Sequence, residues 1–519
     1  MARWFLDRTP QPGAPSVNLR RLLPDAQFVG LGDGEVSACS ADPKRLEAGT
    51  WFVAVEADTG DEASTGDLLV ARAIERGAAG VVVERAAPDS GRLQVVVGDV
   101  RSAHARISQA LAGDPALCLP IVGVTGASGK GAVGSFVRAI LRAQGQVVGS
   151  VGSATWFDGD SIRPLGPKTP EPAKVAAMLA GMVHQGCDSA VLEVDHRAID
   201  RRDVDGVPLA VAVVTTLGDG DDRAARRRAY ARLIRRVEVG GSVVIDADDP
   251  EADVLGAVNL AARRVTFGID DQEDAVPRAS IAAVIDRCDA GSSRFLLRGF
   301  DRDVMVTLRV GGGPATVRQA MAAAAVAWSL GIAADAVVRG LESVARIPGW
   351  FEAVRAGQAF EVRVDQARTA ADLTRALTHL RAITPGRLLC VVGANGAGVG
   401  VPSSYLQDAE RAALGRAVEL GADLVVLTAD NSRNEDPNAV VDEIRAGMIH
   451  PGRVRVELDR HAAIKFALTD AQPGDGVLIA GKGAHAYQVL RDRVVPFDDA
   501  AVADQILREG RPRMGRASA

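Results

Sequence analysis

The chain has 519 residues, of which 47% are hydrophobic, and its formal net charge at pH 7 is −6. This length can bury several hydrophobic cores and predicts about three domains. The acidic charge balance argues against nucleic acid as the main partner. The five cysteines show no paired or metal-binding spacing, and no apolar run reaches the roughly 20 residues of a membrane helix. We therefore expect a cytoplasmic protein without a membrane span.

Apolar runs typical of strands alternate with helical patterns along the chain, which predicts an α/β fold with a mostly parallel sheet in its middle part. Helices are predicted at 68–76, at 316–328 with a continuation near 334, and at 439–448. The predicted strands are 51–55, 80–83, 94–97, 190–194, 211–215, 242–245, 388–392, 424–427, 454–456 and 476–479.

Residues 123–130 (GVTGASGK) have the spacing of a phosphate-binding loop between a buried strand and a helix. Glycines there let backbone N–H groups surround a polyphosphate, the helix N-terminus adds partial positive charge, and Lys130 can reach the terminal phosphates. The same kind of turn also occurs for packing alone, and that alternative stays open. The residues predicted to bind a nucleotide are Gly126, Ser128, Gly129, Lys130 and Gly131.

The residues after Lys130 depart from such a loop. A Ser or Thr hydroxyl normally follows the lysine directly and holds Mg²⁺. Here Gly131 and Ala132 occupy the next two positions, and neither side chain has an oxygen. The phosphate anchor is therefore present, whereas the metal ligand is missing.

Further segments accompany this loop in a fixed order: 42–52 (DPKRLEAGTWF), 168–171 (KTPE), 193–194 (EV), 246–250 (DADDP), 347–352 (IPGWFE), 428–437 (TADNSRNEDP) and 478–488 (LIAGKGAHAYQ). With the loop they resemble, over nearly the whole chain, the Mur ligases and in particular the UDP-N-acetylmuramoyl-tripeptide synthetases (MurE). The resemblance implies three α/β domains. These are a small N-terminal UDP-substrate-type domain at 1–118, a central ATP-binding domain of P-loop type at 119–345, and a C-terminal Rossmann-like domain at 346–519.

The resemblance also implies a reaction. Mur ligases transfer the γ-phosphate of ATP to a substrate carboxylate, which an amine then attacks, so the protein supplies positioning and charge neutralisation. Lys130 would bind the β and γ phosphates, and Glu193 would bind a second metal ion. Either Arg197 or, with a one-residue shift, His196 matches the histidine that follows this glutamate in the family. Without the resemblance, Glu193 is a solvated acid at a strand end.

Substrate contacts are implied in both later domains. Asn431 and Arg433 match the loop that recognises the incoming amino acid, and an arginine can hold a carboxylate bidentately. The substrate would be a UDP-muramyl-peptide-type molecule or a derivative, and a protein partner in cell-wall synthesis is a further expectation. Without the resemblance, residues 430–437 are a polar turn before a helix. The implied substrate-binding residues are Thr169, Pro170, Asn431, Arg433, Glu435 and Gly481.

The chain departs from the family pattern at positions that would hold metal or neutralise charge. Ser128 replaces an asparagine, Gly131 replaces the loop threonine, and Tyr230 stands where the family has a lysine that becomes carbamylated. The family's Asp-His pair is not reproduced in register within 215–222 (TTLGDGDD). The remaining departures are the uncharged loop at 393–400 and the pair Ala484 and His485 in place of His-Glu.

Two hypotheses follow. In the first, the chain is an active ligase in which His196, Asp219 or Asp221 supplies the missing ligands. In the second, it is a pseudoenzyme that keeps the three-domain shape, binds ATP weakly with little dependence on Mg²⁺, and no longer ligates efficiently. Losing one transition-state contact typically costs ~10²–10³ in rate, and several are lost here, so the sequence favours the second hypothesis.

Overall fold

The computed structural model describes residues 16–509 except 57–65, 87–90, 166–169, 219–222, 271–277, 290, 397–404 and 492. Sheets of five, eleven and six strands occupy successive stretches of the chain. The predicted α/β fold with a mostly parallel central sheet is therefore confirmed. Within the described ranges, no helix is both long enough and apolar enough to cross a membrane.

The N-terminal elements are β1 (Val17–Asn18), α1 (Leu19–Leu22), β2 (Gln27–Val29), β3 (Glu35–Val36), β4 (Cys39–Ser40), β5 (Trp51–Val53), α2 (Gly66–Glu75), β6 (Gly80–Val83), β7 (Leu93–Val96) and α3 (Val100–Leu111). Five strands form the first sheet in the order β2-β7-β6-β5-β4. Only β2 runs antiparallel to its neighbour. Gly80 lies against the indole of Trp51, since a Cβ at this glycine would come within 2.6 Å of the ring.

The central elements are β8 (Ile121–Thr125), α4 (Lys130–Ala143), β9 (Val148–Val151), β10 (Thr155–Phe157), β11 (Ile162–Pro164), α5 (Pro172–His184), β12 (Ser189–Glu193), α6 (His196–Asp200), β13 (Leu209–Val214), α7 (Arg223–Ile234), β14 (Val237–Asp246), α8 (Ala252–Gly256), β15 (Arg263–Asp270), β16 (Ile281–Cys288), β17 (Ser293–Arg298), β18 (Val304–Leu308), α9 (Gly313–Ser329) and α10 (Ala334–Ser343). The sheet order is β11-β10-β9-β12-β8-β13-β14-β15-β16-β17-β18. In this sheet order, the seven neighbouring strands β9-β12-β8-β13-β14-β15-β16 pair in parallel. The strands at both ends of the sheet pair antiparallel.

Small residues allow the helices of the central domain to pack closely. Helix α9 is rich in alanine, and residues 320–327 are buried against the sheet and α4. On α10, a Cβ at Gly340 would lie 2.4 Å from the Cα of Ile140 on α4. The two backbones therefore touch at a distance that only glycine permits, which fixes α4 at its position on the sheet.

The C-terminal elements are β19 (Glu352–Ala353), β20 (Glu361–Asp365), α11 (Ala370–Ala382), β21 (Leu388–Val392), α12 (Tyr405–Gly421), β22 (Leu424–Leu427), α13 (Pro437–Ala446), β23 (Arg455–Val456), α14 (Arg460–Asp470), β24 (Gly476–Ala480), β25 (Tyr487–Leu490), β26 (Arg493–Pro496) and α15 (Asp499–Glu509). The third sheet has the order β19-β20-β24-β21-β22-β23, with only β19 antiparallel. The predicted domain boundaries stay predictions, although each sheet lies within one predicted domain.

Some predicted elements need correction. The strand predicted at 51–55 ends at Val53, and the one predicted at 242–245 is part of the ten-residue β14. The antiparallel extensions β10–β11 and β16–β18 were not predicted at all. Their strands mix apolar and charged residues, as in the partly exposed Ile281–Cys288, so they lack the continuous apolar run that marks a buried parallel strand.

A buried ion pair attaches the last helix to the C-terminal domain. The Arg460 guanidinium donates two hydrogen bonds of 2.7 Å to the Asp499 carboxylate, and both side chains are fully buried. The same guanidinium donates to the Ala480 carbonyl at 3.0 Å. Because Asp499 begins α15, this contact holds that helix against the end of β24.

We expect Asp499→Ala to lower the free energy of unfolding by about 3–5 kcal/mol, because it leaves the Arg460 charge buried without its partner. Urea denaturation followed by far-UV circular dichroism measures this change. Asp504→Ala is the matched control, since it removes the exposed pair that Asp504 forms with Arg508 on the same helix. Equal effects of the two substitutions would contradict the assignment of Arg460–Asp499 as the anchor of α15.

Candidate functional site

The glycine loop lies between β8 and α4 at the carboxyl edge of the central sheet, where ligands bind in open α/β folds. Gly126 and Gly129 have φ values of 144° and 80°, in the region that favours glycine. A Cβ at Gly126 would meet the Thr215 hydroxyl, and one at Gly129 would meet the Gln319 side chain. The Thr215 hydroxyl also donates to the Ser128 carbonyl at 2.5 Å. The loop is therefore held from both sides in one conformation.

Lys130 and Glu193 lie together beside this loop, as predicted for a phosphate site. Glu193 ends β12, which pairs in parallel with β8 and sets Glu193 opposite Val124. The Lys130 ammonium donates to the Gly126 carbonyl at 2.7 Å. Burial lowers the pKa of Lys130, while the nearby carboxylates of Glu193 and Asp195 act in the opposite sense. Burial likewise raises the pKa of Glu193, opposed by the positive charge of Lys130.

Three glycines surround the Glu193 carboxylate. A Cβ would lie 3.6 Å from Glu193 Oε1 at Gly131 and at Gly134, and 3.1 Å from it at Gly152. Gly131 is the position where a phosphate loop carries its metal-binding hydroxyl. The hydroxyl of a Ser or Thr there would lie beside Glu193, but glycine supplies no ligand atom.

Tyr230 on α7 also fails to supply a metal ligand. Its side chain is fully buried, and burial raises the pKa of its hydroxyl, so it stays a neutral phenol. Hard cations such as Mg²⁺ prefer carboxylates, carbonyls and water. In the described part of the chain, no three His, Cys, Asp or Glu side chains come together as metal ligands. Gly131 and Tyr230 thus supply no metal ligand beside Glu193.

Asp195, which the sequence analysis missed, lies near Lys130. Its carboxylate caps α6 by accepting from the Ala198 N–H at 2.8 Å, and its charge raises the pKa of Lys130. His196 is half-buried and Arg197 is exposed in the first turn of this helix. An acid two residues after a strand-end glutamate was a visible signal in the sequence. It was overlooked because the family has a serine there.

In the C-terminal domain, Asn431 belongs to a buried polar cluster. Its side-chain carbonyl accepts from the Lys482 ammonium at 3.2 Å and from the Val489 N–H at 2.9 Å. Lys482 also donates to Asp430 at 3.2 Å, and burial lowers the pKa of Lys482. Gly481 has φ 112°, and a Cβ there would lie 3.1 Å from Asp430 Oδ2. The fold itself thus uses the Asn431 carbonyl, and the predicted contact of Asn431 with substrate stays a prediction.

Arg433 and Glu435, from the same segment, have different surroundings. Arg433 is half-buried with φ 52°, and its backbone N–H donates to the Val489 carbonyl at 3.1 Å. Glu435 forms an ion pair of 2.7 Å with the buried Arg411. Arg411 in turn donates to the Asn395 carbonyl. The Glu435 carboxylate is thus engaged within its own domain, and its predicted contact with substrate stays a prediction.

The central and C-terminal domains are in contact, and we call the space between them the cleft. The charges of Arg368 and Asp372 affect the pKa of Lys130, and Arg197 affects that of Arg433. That Lys130 and Arg433 face each other across this space stays a prediction. Pro170 is half-buried just before α5. Thr169, Asp219 and Asp221 lie outside the described residues.

Comparisons with known proteins agree with this architecture. Residues 124–327 match the family model of the Mur ligase middle domain, and 349–483 match that of the Mur ligase glutamate ligase domain. UDP-N-acetylmuramoyl-L-alanyl-D-glutamate–2,6-diaminopimelate ligases from Syntrophomonas wolfei and Geobacillus kaustophilus are each 30% identical, covering 92% of this chain and 95% and 96% of their own lengths.

Solved structures give the same fold. One of a UDP-N-acetylmuramoyl-L-alanyl-D-glutamate–2,6-diaminopimelate ligase superposes with a TM-score of 0.63 at 24% identity, covering 95% of this chain and 99% of that one. A MurF ligase from Thermotoga maritima in complex with ADP has a TM-score of 0.55 at 18% identity, with coverages of 91% and 96%.

Two hydrogen bonds hold the cleft in its present arrangement. The Gly312 N–H, just before α9, donates to His379 Nε2 at 3.1 Å, and the Trp350 indole N–H donates to the Thr316 hydroxyl at 2.9 Å. The His379 ring also packs edge-on against Phe351, with 4.5 Å between the ring centroids. His379 can accept this bond only when neutral, and burial lowers its pKa to about 4, with the charges of Arg363 and Arg375 adding to the effect.

We expect His379→Ala to open the cleft at pH 7, because it leaves the Gly312 N–H without its acceptor at a cost of about 1–3 kcal/mol. Small-angle X-ray scattering would show a larger radius of gyration than for the exposed control His184→Ala. Because the pKa of His379 is depressed, its contribution is present above pH 6.5 and is lost as the pH falls towards 4. An unchanged radius in His379→Ala would contradict this role.

Proposed function

The chain belongs to the Mur ligase family, and from this premise we propose that it has kept the ligand-binding framework of the MurE-type enzymes but ligates inefficiently. The observation that carries the proposal is the position of Gly131, whose Cα faces the Glu193 carboxylate where a metal-binding hydroxyl would stand. The scaffold around it is intact, with the loop, Lys130 and Glu193 together at the carboxyl edge of the sheet.

The proposal also rests on the size of the expected losses. Removing one group that stabilises the transition state typically costs ~10²–10³ in rate. Gly131 and Tyr230 remove two positions of the metal shell, and His485 replaces the acid of the family's C-terminal segment. Burial lowers the pKa of His485 to about 3, so this side chain is neutral where the family has a negative charge. Losses of this kind, even when not additive, remove much of a ligase's acceleration.

The residues present still fit ATP. Backbone N–H groups of 126–129, the N-terminus of the 14-residue α4 and Lys130 would hold its phosphates. Bound ATP supplies the phosphoryl group that activates a carboxylate in this family. Without the hydroxyl at position 131, we expect weak ATP binding that changes little when Mg²⁺ is added.

The proposed ligand is a UDP-muramyl-peptide-type molecule or a derivative, on the strength of the relatives that act on such substrates. Thr169, Pro170, Asn431, Arg433 and Gly481 are the proposed contacts. A cytoplasmic location and a protein partner in cell-wall synthesis complete the proposal. A scaffold that binds a precursor without converting it would act by presenting or sequestering that precursor.

One observation favours the alternative of an active ligase. Asp195 adds a carboxylate near Lys130 that the family's serine does not provide. With Glu193, it could bring two acids to the phosphate loop, and His196 follows it directly. In this alternative, Asp195 compensates for Gly131, and Asp195→Asn would abolish Mg²⁺-dependent turnover.

We expect Gly131→Thr to make ATP binding depend on Mg²⁺ without restoring ligation, because the new hydroxyl would stand beside Glu193 while the positions of Tyr230 and His485 stay unchanged. Isothermal titration calorimetry with ATP, with Mg²⁺ and with EDTA, measures the first effect. Mass spectrometry for ADP and ligated muramyl peptide measures the second. Gly131→Ala is the matched control, since it adds a methyl group but no ligand oxygen.

Strong Mg²⁺-dependent ATP binding together with ligated product from the unmodified chain would overturn the proposal of inefficient ligation. Loss of that product in Asp195→Asn would then establish the compensated ligase.

A further inference from the structure

The beginning of α9 touches both the C-terminal domain and the glycine loop. Thr316 is fully buried there and accepts the indole N–H of the buried Trp350 at 2.9 Å. Gln319, one turn later on the same helix, lies against Gly129, since a Cβ at this glycine would come within 2.4 Å of Gln319 Nε2. We call residues 312–319 the α9 start. This short stretch connects an aromatic side chain of the interdomain contact to the loop that precedes α4.

Trp350 is a rigid part of the C-terminal domain, although it lies in the connection between the domains. The Gln366 N–H, directly after β20, donates to the Gly349 carbonyl at 2.9 Å. The Phe351 N–H donates to the Asp365 carboxylate, at the end of β20, at 2.8 Å. The residues on both sides of Trp350 are therefore bonded to the end of β20, and the indole keeps its position relative to the third sheet.

The α9 start is stabilised from outside the helix. Its N-cap residue is Gly312, which has no side chain to accept hydrogen bonds from the first turn. The Gly312 N–H is instead bonded to His379 of the C-terminal domain at 3.1 Å. Gly312 and Gly313 have φ values of 117° and 61°. A Cβ at Gly313 would lie 3.0 Å from His379 Nδ1, so the imidazole packs directly on the backbone of this helix end.

We propose that the α9 start couples the docking of the C-terminal domain to the conformation of the glycine loop, with Trp350, Thr316 and Gln319 as positioning residues. Docking fixes Thr316 through the indole N–H. Gln319 follows, because residues three apart lie on the same face of a helix. Gln319 in turn packs on Gly129, whose φ of 80° sets the first residue of α4. This coupling is independent of whether the chain ligates efficiently.

The rest of α9 is held in place and limits the coupling to the α9 start. Residues 320–327 are buried against the sheet and α4, so they cannot shift when the C-terminal domain undocks. Trp328 follows them, and the Arg263 guanidinium lies 4.5 Å from the centroid of its ring. It is about 18 Å along the helix axis from Thr316. Trp328 therefore offers a control tryptophan on the same helix, away from the interdomain contact.

The test measures amide hydrogen exchange at 126–131 and 312–319 in the full chain by mass spectrometry. We expect Trp350→Phe, which keeps an aromatic ring but removes the N–H, to speed exchange about three- to tenfold in both segments, as for the loss of one hydrogen bond. Thr316→Val removes the hydroxyl and should have the same effect. Thr316→Ser keeps the hydroxyl and should leave both rates unchanged, as should the matched control Trp328→Phe. Urea unfolding verifies that each variant is folded.

Gln319→Ala distinguishes coupling from separate loosening of two segments, because spatial contact alone does not establish coupling. We expect fast exchange at 126–131 in this variant, with no further increase when Trp350→Phe is added, whereas exchange at 312–319 still rises. Three results would overturn the coupling. These are faster exchange at 312–319 alone in Trp350→Phe, equal behaviour of Thr316→Ser and Thr316→Val, and multiplying effects of Trp350→Phe and Gln319→Ala at 126–131.

Discussion

The parallel pairing of β8 with β12 is the constraint on which the rest of the site depends. It brings Lys130, at the start of the helix after β8, beside Glu193, at the end of β12, because parallel strands end at the same edge of a sheet. Two opposite charges are thereby kept together where water is partly excluded. The loop glycines, Thr215 and Gln319 serve this arrangement by fixing the backbone between them.

Buried parallel strands are the parts of this fold that could be predicted best from the sequence. Strands β21 and β22 were predicted with their observed ends, since continuous apolar runs bounded by polar turns mark buried parallel strands. The antiparallel strands β16–β18 were missed because their charged residues face solvent at one end of the sheet. Lys130 was found from the glycine pattern that follows a buried strand, and Glu193 from its match to a strand end of the family.

Contacts between distant parts of the chain could not be predicted in the same way. In the sequence, Asn431 is part of a polar turn. Only the fold shows that its side-chain carbonyl accepts hydrogen bonds from Lys482 and Val489, more than 50 residues later. The sequence likewise gives no sign that the Glu435 carboxylate pairs with Arg411, which lies 24 residues earlier.

The chain departs from the family pattern at the phosphate loop itself, where Gly131 stands beside Glu193 in place of a residue with a hydroxyl. A metal ion bound at Glu193 would belong to the central domain alone. The charges of Arg368 and Asp372 in the C-terminal domain also act on the pKa of Lys130, so the charge at the phosphate loop depends on both domains. The neutral His379, which accepts from the Gly312 N–H at 3.1 Å, is one of the contacts that hold these two domains together.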